Sequence, residues 1–323
     1  MNSTNTTDTI PNFKDPLNLG ASFLMFLNGI FGIVCNSSII YIFAINPNDR
    51  TSFNLICVFR AAMNIFILSW AFLGTFLPTT LTGASPFSPY YESSVILICN
   101  TVYTVIQYSA LVIAMNRMCA MFFPFIYSKF FSVKLTFAAL FLVLVYTLVG
   151  IFLYIPKYVG PGCFVGYSSY YLSWVPNMDE SCYDKIASPV NGTAIFLTLL
   201  FISNVATFTK IYFFWKSTVL EEHEMRKKIK RNRVLFMQTV FQDAIIFVDM
   251  LFTFKLSSLS SSRIWSFLCG SFIWQSVHSS DGLIMVMFNE RLTFLKKSLF
   301  PQSDSPSIAN QSVFVPAVSQ SRV

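Results

Sequence analysis

The chain is poor in charge and in histidine. Only 11% of its 323 residues are charged, against about 25% in soluble domains, and only two are histidines. It contains no Cys/His cluster with zinc spacing, no grouping of serine, histidine and aspartate and no phosphate-binding loop. The sequence therefore predicts no metal site and no cofactor, and it argues against enzymatic chemistry.

What the chain has instead is long apolar runs. Hydrophobic residues make up 54% and aromatic residues 17% of the sequence. No charge occurs from Ser93 to Asn116, and a helix over that run, rising about 1.5 Å per residue, is long enough to cross a bilayer core of roughly 30 Å. Arg117 follows as the first charge at the far membrane face, where an interfacial anchor is the simplest interpretation. The composition predicts an integral membrane protein.

Seven such runs, separated by turn signals such as Asn46-Pro47-Asn48, predict an all-α membrane protein with a seven-transmembrane helix bundle. The predicted spans are about 19–45, 53–77 (stopping near Pro78), 91–123, 135–155 (stopping at Pro156), 190–215, 231–255 and 264–288. A long polar loop, 157–189, separates the fourth span from the fifth. The chain thus divides into an N-terminal segment (1–18), the bundle (19–288) and a C-terminal region.

The C-terminal region itself has two predicted parts. In 289–300, apolar residues recur at helical spacing with Lys296 and Lys297 between them, which indicates a short amphipathic eighth helix on the inner leaflet. Residues 301–323, rich in Ser, Pro and Gln, are typical of a disordered cytoplasmic tail. The polar first 16 residues are unlike a cleavable signal peptide.

The basic residues predict the orientation. With seven spans, five of the 22 Lys and Arg residues fall on the N-terminal side and 17 on the other, so the N-terminus is expected outside. Because the basic residues cluster between apolar runs and form no separate domain, the net charge of +7 is assigned to membrane orientation and no nucleic-acid partner is expected. Three glycosylation acceptors then lie outside: Asn2, Asn5 and Asn191.

Two of the seven cysteines differ from the others. Cys163 and Cys182 are the only two in a loop expected on the oxidising side, and we expect them to form a disulfide worth roughly 3 kcal/mol. The remaining five lie in or beside apolar helices and are interpreted as small core residues: Cys35, Cys57, Cys99, Cys119 and Cys269.

Four charged residues lie inside predicted spans, where each costs about 2.5 to 3.5 kcal/mol on insertion. They are Arg60, Asp243, Asp249 and Asp281. Asp249 falls in the outer half of its helix, a depth that suits a ligand pocket. Either of the other two carboxylates would neutralise Arg60, and each residue can equally be a buried structural partner. His278 and Asp281 share a helix face, which allows a bond between them or a proton relay.

The spacing of several residues resembles the rhodopsin-like G-protein-coupled receptors. Asn36 and Asn64 occupy the first two helices, Asn116-Arg117-Met118 stands at the family's Asp-Arg-Tyr motif, and Asp281-Gly282-xx-Met285 at its Asn-Pro-xx-Tyr motif. The usual Trp and Pro landmarks of helices four to seven are absent, as is a cysteine capping helix three. These departures point away from the central branches of that superfamily.

A closer resemblance is to the nematode serpentine receptors of class X, a family of chemoreceptors. The residues that carry it are Met115-Asn-Arg-Met-Cys-Ala-Met-Phe-Phe-Pro124, the loop with Cys163, Trp174 and Cys182, Phe236-Met-Gln-Thr-Val-Phe-Gln-Asp243, and the run from His278 to Asn289. The similarity covers about 20–298.

This resemblance implies a receptor in the plasma membrane of a sensory neuron. Its outer cavity would bind a small molecule resembling an odorant or pheromone, and its inner face would engage a heterotrimeric G protein and also arrestin. Asn116 and Arg117 would form the G-protein switch, and Asn36, Asn64 and Asp281 an intramembrane polar network. Because Asn116 cannot make the ion pair that restrains this arginine in most relatives, we expect a weaker inactive-state latch.

Depth along the helices selects the candidate ligand-binding residues. They are Cys99, Asn100, Tyr103, Thr104, Gln107, Asp249, Thr253, Trp274 and Gln275. Cys99 occupies the place where amine receptors carry their acid, so an amine ligand is disfavoured unless Asp249 takes that role. The alternative function is a seven-helix ion channel or proton-coupled transporter built on the intramembrane acids and His278, and a membrane enzyme ranks third.

Overall fold

The computed structural model of the chain describes residues 11–47, 50–159, 161–177, 182, 190–217 and 223–289. Among these residues, six helices are long and apolar enough to cross a bilayer. A seventh, over 263–288, has a lower mean hydropathy because its buried face is polar, with Gln275, His278, Ser279 and Asp281. The seven-helix membrane bundle predicted from the sequence is confirmed.

The first helix, α1 (Pro16–Ile45), begins at an aspartate cap. Asp15 accepts the backbone N–H of Leu17 at 2.8 Å, and Pro16 stands in the first turn, where its missing N–H costs nothing. The helix therefore starts three residues before the predicted boundary at 19. It reaches Asn46 without a charged residue.

The second helix, α2 (Ser52–Thr82), continues past Pro78 instead of ending there. A π-helical stretch, Leu68–Phe76, precedes the proline, and the N–H of Leu77 donates to Phe72 O. Wider turns of this kind accommodate a proline that would otherwise break the helix. The helix ends at Gly83, whose φ of 85° is left-handed, a conformation that glycine adopts without strain.

The third helix, α3 (Pro89–Phe122), is followed by a short helix that the sequence analysis did not predict. This helix, α4 (Pro124–Phe130), begins at a proline directly after α3. The next, α5 (Val133–Tyr158), starts at the Ser132 cap and contains Pro156 in its last turn, so the predicted stop at Pro156 is wrong. A proline so close to the end removes one hydrogen bond and leaves the rest of the helix intact.

A two-stranded antiparallel hairpin occupies part of the loop expected to be only polar. Strand β1 (Phe164–Ser168) pairs with β2 (Ser173–Asn177), with Phe164 opposite Asn177 and Ser168 opposite Ser173. The predicted disulfide is confirmed: Cys163 and Cys182 are bonded, with 5.8 Å between their Cα atoms. The other five cysteines are free.

Three further helices complete the bundle. They are α6 (Val190–Ser217), α7 (His223–Leu251, continued by a π turn, Phe252–Leu256, and a 3₁₀ turn, Ser257–Leu259) and α8 (Arg263–Phe267, a π turn at Leu268–Phe272, and Ile273–Phe288). Helix α7 begins eight residues before its predicted start at 231. The basic run 226–233 therefore belongs to a helix and not to a loop.

The two ends of the bundle differ. The end that holds the hairpin, here the hairpin end, has an aromatic core in which Phe76 stacks on Tyr167 at 4.3 Å between ring centres and Phe72 meets Trp274 edge-on at 5.0 Å. The opposite end, here the basic end, holds the α1–α2 and α3–α4 connections and a second core that includes Ile56 and Met285. The predicted amphipathic segment and tail lie beyond the described residues, apart from Asn289.

Candidate functional site

The centre of the bundle holds a buried carboxylate with four hydrogen bonds. Asp281 accepts from Arg60 Nη2 at 2.7 Å and Nε at 3.3 Å, from Asn64 Nδ2 at 2.7 Å and from Gln242 Nε2 at 2.7 Å. The side chains of Arg60 and Asp281 are only 2% and 4% exposed. The sequence left two candidates to neutralise Arg60, and in the structure it is Asp281. Asp243 instead accepts from Asn204 on α6, at 2.7 Å.

The asparagines of α1 and α2 extend this network. Asn36 Nδ2 donates to Gly32 O at 2.8 Å and to His278 O at 3.1 Å, and Asn64 Nδ2 lies 3.3 Å from Asn36 Oδ1. Gly282 permits the contact, because a Cβ there would lie 2.6 Å from Asn36 Nδ2. The structure thus brings the predicted residues Asn36, Asn64 and Asp281 together.

The bond considered between His278 and Asp281 is not formed. His278 Nδ1 lies 2.8 Å from Asn64 Oδ1, while every bond that the structure shows to Asp281 comes from another side chain. Residues at i and i+3 share a helix face, but the neighbouring helix decides which of them meets a given partner. The imidazole and carboxylate pairing that would support a proton relay is therefore a wrong interpretation.

Nearer the hairpin end, α3 and α7 meet through a tyrosine and an aspartate. Tyr103 donates its hydroxyl to Asp249 Oδ2 at 2.7 Å. The ring of Tyr103 also meets His278 edge-on, at 5.4 Å between ring centres, and His278 meets Trp274 at 6.1 Å. Tyr103 thus joins Asp249 of α7 directly, and His278 joins Tyr103 to Trp274.

The other predicted pocket residues have different neighbours. Cys99 is fully buried in the core, and Gln275 donates to Met25 O on α1 at 2.7 Å. Asn100 is exposed, and Thr104 donates to the carbonyl of Asn100 at 3.1 Å. Gln107 and Thr253 are half-buried. The pocket prediction for these six residues remains untested by the geometry.

At the basic end, the helices enclose a cavity of about 640 Å³. Arg117 lines it and is only 8% exposed, with its guanidinium carbon 4.4 Å from the ring centre of Phe53. Its Nε and Nη2 have no hydrogen-bond partner among the described residues. Arg117 is therefore a buried cation that packs on an aromatic ring, and two of its N–H donors remain available beside the cavity.

The residue before it is tied to two neighbours. Asn116 Nδ2 donates to Ser52 Oγ at 3.4 Å, Tyr127 donates its hydroxyl to Asn116 Oδ1 at 3.3 Å, and Ser52 and Tyr127 are themselves 3.4 Å apart. These bonds join α3 to the start of α2 and to α4. Asn116 thus connects α3 to α2 and α4 through hydrogen bonds.

Sequence reasoning missed Phe53, Gln242 and Tyr127. The signal for Gln242 was present, since a glutamine seven residues before Asp249 lies on nearly the same helix face. Phe53 and Tyr127 carried no comparable signal in a chain with 36 phenylalanines and 14 tyrosines. Phe125, another residue of α4, is 93% exposed.

The hairpin is fastened to the helices around it. Ser93 Oγ donates to Val165 O at 2.8 Å, Tyr167 N donates to the Glu92 carboxylate at 2.6 Å, and Ser271 Oγ donates to Leu172 O at 2.8 Å. Burial raises the pKa of Tyr167 to about 12, which keeps this hydroxyl protonated at physiological pH. The hairpin is a fixed cover over part of the bundle.

An ion pair closes the same end. Arg263, at the start of α8, donates to Asp15 Oδ2 at 2.8 Å, to Asn18 Oδ1 at 2.6 Å and to Tyr170 O at 2.6 Å. The hydrogen bond from Arg263 holds the pKa of the Asp15 carboxyl below its usual value. No group of three or more potential metal ligands occurs in the part of the chain that the structure describes.

Seven helices around a buried polar network, with an arginine on a cavity at one end, define a seven-transmembrane receptor. Residues 26–289 match the family described as "Serpentine type 7TM GPCR chemoreceptor Srx", and the chain belongs to that family. It is 26% identical over 292 residues to "Serpentine receptor class X 45" of Caenorhabditis elegans, a match that covers 84% of this chain and 79% of the relative. The chain is thus a multi-pass chemosensory G-protein-coupled receptor.

Proposed function

We propose that this receptor binds a small molecule between α3, α7 and α8 near the hairpin end and engages a heterotrimeric G protein at the basic end. Binding shifts the balance between two helix arrangements, because a ligand with higher affinity for one arrangement populates it. The two sites are joined by the central network, in which α2 and α7 both donate hydrogen bonds to Asp281 of α8.

The observation that carries the proposal is Arg117 in the basic-end cavity. Arg117 is buried, and its Nε and Nη2 donors have no hydrogen-bond partner among the described residues. A backbone carbonyl or carboxylate of a protein partner that entered the cavity would therefore gain charge-assisted hydrogen bonds. Phe125 lies on the same short helix as Tyr127, which lines the cavity, and an exposed aromatic ring at this end suits a protein interface.

For the ligand, the supporting contact is the one between Tyr103 and Asp249. It lies at the depth at which the sequence predicted a pocket. Trp274 and His278, on the neighbouring α8, lie next to it. The six remaining candidates are proposed as the wider lining: Cys99, Asn100, Thr104, Gln107, Thr253 and Gln275.

The orientation follows from charge. The hairpin end carries the disulfide and the acceptor Asn191 stands in the first turn of α6, so we place this end outside the cell and the basic end in the cytosol. The acceptors Asn2 and Asn5, which lie outside the described residues, would be glycosylated on the same side of the membrane as Asn191. We also propose that the receptor acts in the plasma membrane of a sensory neuron and that arrestin is a further cytosolic partner; what supports this is the resemblance to chemoreceptors.

The test is G-protein activation in cells that express the full chain. Cells are exposed to a panel of volatile alcohols, ketones, amines and carboxylic acids, and nucleotide exchange is measured for the native receptor and for Arg117→Ala. Arg117→Ala is expected to lower exchange at least about tenfold, because the partner loses its charge-assisted bonds.

The matched control is Arg50→Ala, which removes an exposed arginine at the same end whose guanidinium donates to Ala44 O at 3.1 Å. It should leave exchange within about twofold of native at equal surface expression. Equal exchange by the native receptor and Arg117→Ala would refute the assignment of the cavity. Ion currents that persist without any G protein would favour the channel alternative.

A further inference from the structure

Tyr103 contacts two residues, each with a buried polar atom that has no hydrogen-bond partner among the described residues. Its hydroxyl bonds Asp249 Oδ2, while Oδ1 of the same carboxylate, on a residue only 3% exposed, has no hydrogen bond. Its ring meets His278, whose Nε2 is also without a partner. Buried polar groups left unpaired cost free energy, so the type of group each one needs indicates what would complete the site.

The central network fixes the protonation of His278. The Asp281 carboxylate accepts, so the group of Asn64 that faces it must be the amide nitrogen, and the other end of that side chain is an oxygen. His278 Nδ1 lies 2.8 Å from this oxygen and must therefore carry the proton. In a neutral imidazole the other nitrogen then accepts, so His278 Nε2 needs a donor.

Two buried glutamines on α7 and α8 also have a side-chain acceptor without a donor. Gln242 gives its amide nitrogen to Asp281 and Gln275 gives its own to Met25 O, and in both cases the side-chain oxygen has no partner. With Asp249 and His278, these are the buried side chains of α7 and α8 whose polar atoms lack partners in the described residues. All four atoms are acceptors.

Asp249 adds charge to this pattern. The two ion pairs in the described part of the chain are formed by Asp281 and Asp15, and Asp249 is bonded only to a neutral hydroxyl. An acidic ligand would place a second negative charge beside it, and a neutral donor would leave the charge unpaired. An ammonium group supplies a positive charge and three donors at once.

We propose that the outer site takes a small organic cation whose ammonium group pairs with Asp249 and whose N–H donors also serve His278. This inference rests on the proposed ligand site between α3, α7 and α8 and names its ligand class. It places the recognising acid on α7, held by Tyr103 of α3. The sequence disfavoured an amine, because Cys99 occupies the expected position, unless Asp249 takes that role, and the inference assigns it that role.

The test measures thermal stability, which needs no G protein. The full-length receptor is melted with two matched sets of probes, 2-phenylethylamine, 2-phenylethanol and phenylacetate, and hexylamine, 1-hexanol and hexanoate. At least one amine is expected to raise the melting temperature by about 2 °C or more at millimolar concentration, while its alcohol and acid do not.

Two variants assign the effect. Asp249→Asn keeps the shape and removes the charge, so it should abolish the shift; without any probe it should also melt at a higher temperature than native, since an unpaired buried charge is gone. Asp243→Asn is the control, because that half-buried carboxylate has Asn204 as its donor, and it should keep the amine shift.

Several results would overturn the inference. They are equal stabilisation by an amine and its alcohol, stabilisation by the acid, an amine shift that survives Asp249→Asn, or no shift with any probe. Failure of the proposed function is distinguishable from these. An amine that stabilises the receptor but triggers no nucleotide exchange would sink G-protein coupling alone, and exchange driven equally well in Asp249→Asn would sink the ligand class alone.

Discussion

We expect the contact between Arg117 and Phe53 to restrain the basic end. Relatives of the wider superfamily hold this arginine with a carboxylate, and here it rests on an aromatic face instead. A cation–π contact of this kind is worth about 0.5 to 2 kcal/mol, less than a buried ion pair that is fully bonded. The resting state is therefore expected to be loosely held.

Removing the ring should release Arg117. Phe53→Leu is expected to raise basal nucleotide exchange by about twofold to tenfold, the equivalent of roughly 0.5 to 1.4 kcal/mol. Phe59→Leu, which makes the same change in a half-buried residue of the same core, is the control. Asn116→Asp should act in the opposite direction and lower basal exchange, because it supplies the missing carboxylate. Unchanged basal exchange in both Phe53→Leu and Asn116→Asp would count against a latch at this position.

The contacts that each side chain makes with neighbouring helices were the hardest feature to predict from the sequence. The depth of Asp249 was readable from its distance along the helix, but its partner Tyr103 depended on how α3 and α7 are rotated against each other. In the same way, helix periodicity placed His278 and Asp281 on one face, and only the packing of α2 showed that Asn64 stands opposite His278. Lateral neighbours follow from helix rotation, which a single sequence does not encode in any local pattern.

At the scale of elements, uninterrupted apolar runs predicted the seven spans well, because burying backbone polar groups in lipid leaves the helix as the available form. Irregular features were missed. Pro78 and Pro156 were both interpreted as helix ends. Pro78 is accommodated by the π-helical stretch that precedes it, and Pro156 lies in the last turn of its helix, where a proline is tolerated. The hairpin had no alternating apolar pattern, since its stability comes from bonds to helices far away in sequence.

At the hairpin end, the ion pair between Asp15 and Arg263 makes the stability of the folded state depend on pH. Because Arg263 lowers the pKa of Asp15, their pair stabilises the folded state above the ordinary carboxyl pKa near 3.8, and this contribution is lost as pH falls through the lower folded value. Both side chains are a quarter exposed, so solvent screens the effect.

We expect Asp15→Asn to lower the melting temperature by about 1 to 3 °C at pH 7 and by less at about pH 2, because the contribution of the pair fades as the pH falls below 3.8. Thermal melts across that pH range check the prediction. Lys14→Gln changes a charge at the adjacent position and should show no such convergence. An equal difference between native and Asp15→Asn at both pH values would remove the ion pair as its cause.

On the scale of the whole molecule, Asp281 is the point at which α2, α7 and α8 meet. Four hydrogen bonds converge on its carboxylate, two of them from the only arginine buried at the centre of the described bundle. Such a pair contributes to stability through its geometry, and loss of one partner leaves a charge in a dry interior. The central network therefore couples the integrity of the bundle to the relative position of the helices that line both proposed sites.

A double substitution separates the charge from the hydrogen bonds. Arg60→Met should cost about 3 to 5 kcal/mol, because it strands the Asp281 carboxylate. Adding Asp281→Asn removes that charge and keeps one oxygen, which can accept from either Asn64 or Gln242, so the double variant should melt at a higher temperature than Arg60→Met alone. Arg50→Met, an exposed arginine with one backbone bond, should change stability by less than about 0.5 kcal/mol. If the double variant melts no higher than Arg60→Met, the pair does not act through charge, and the network holds the bundle by packing and hydrogen bonding alone.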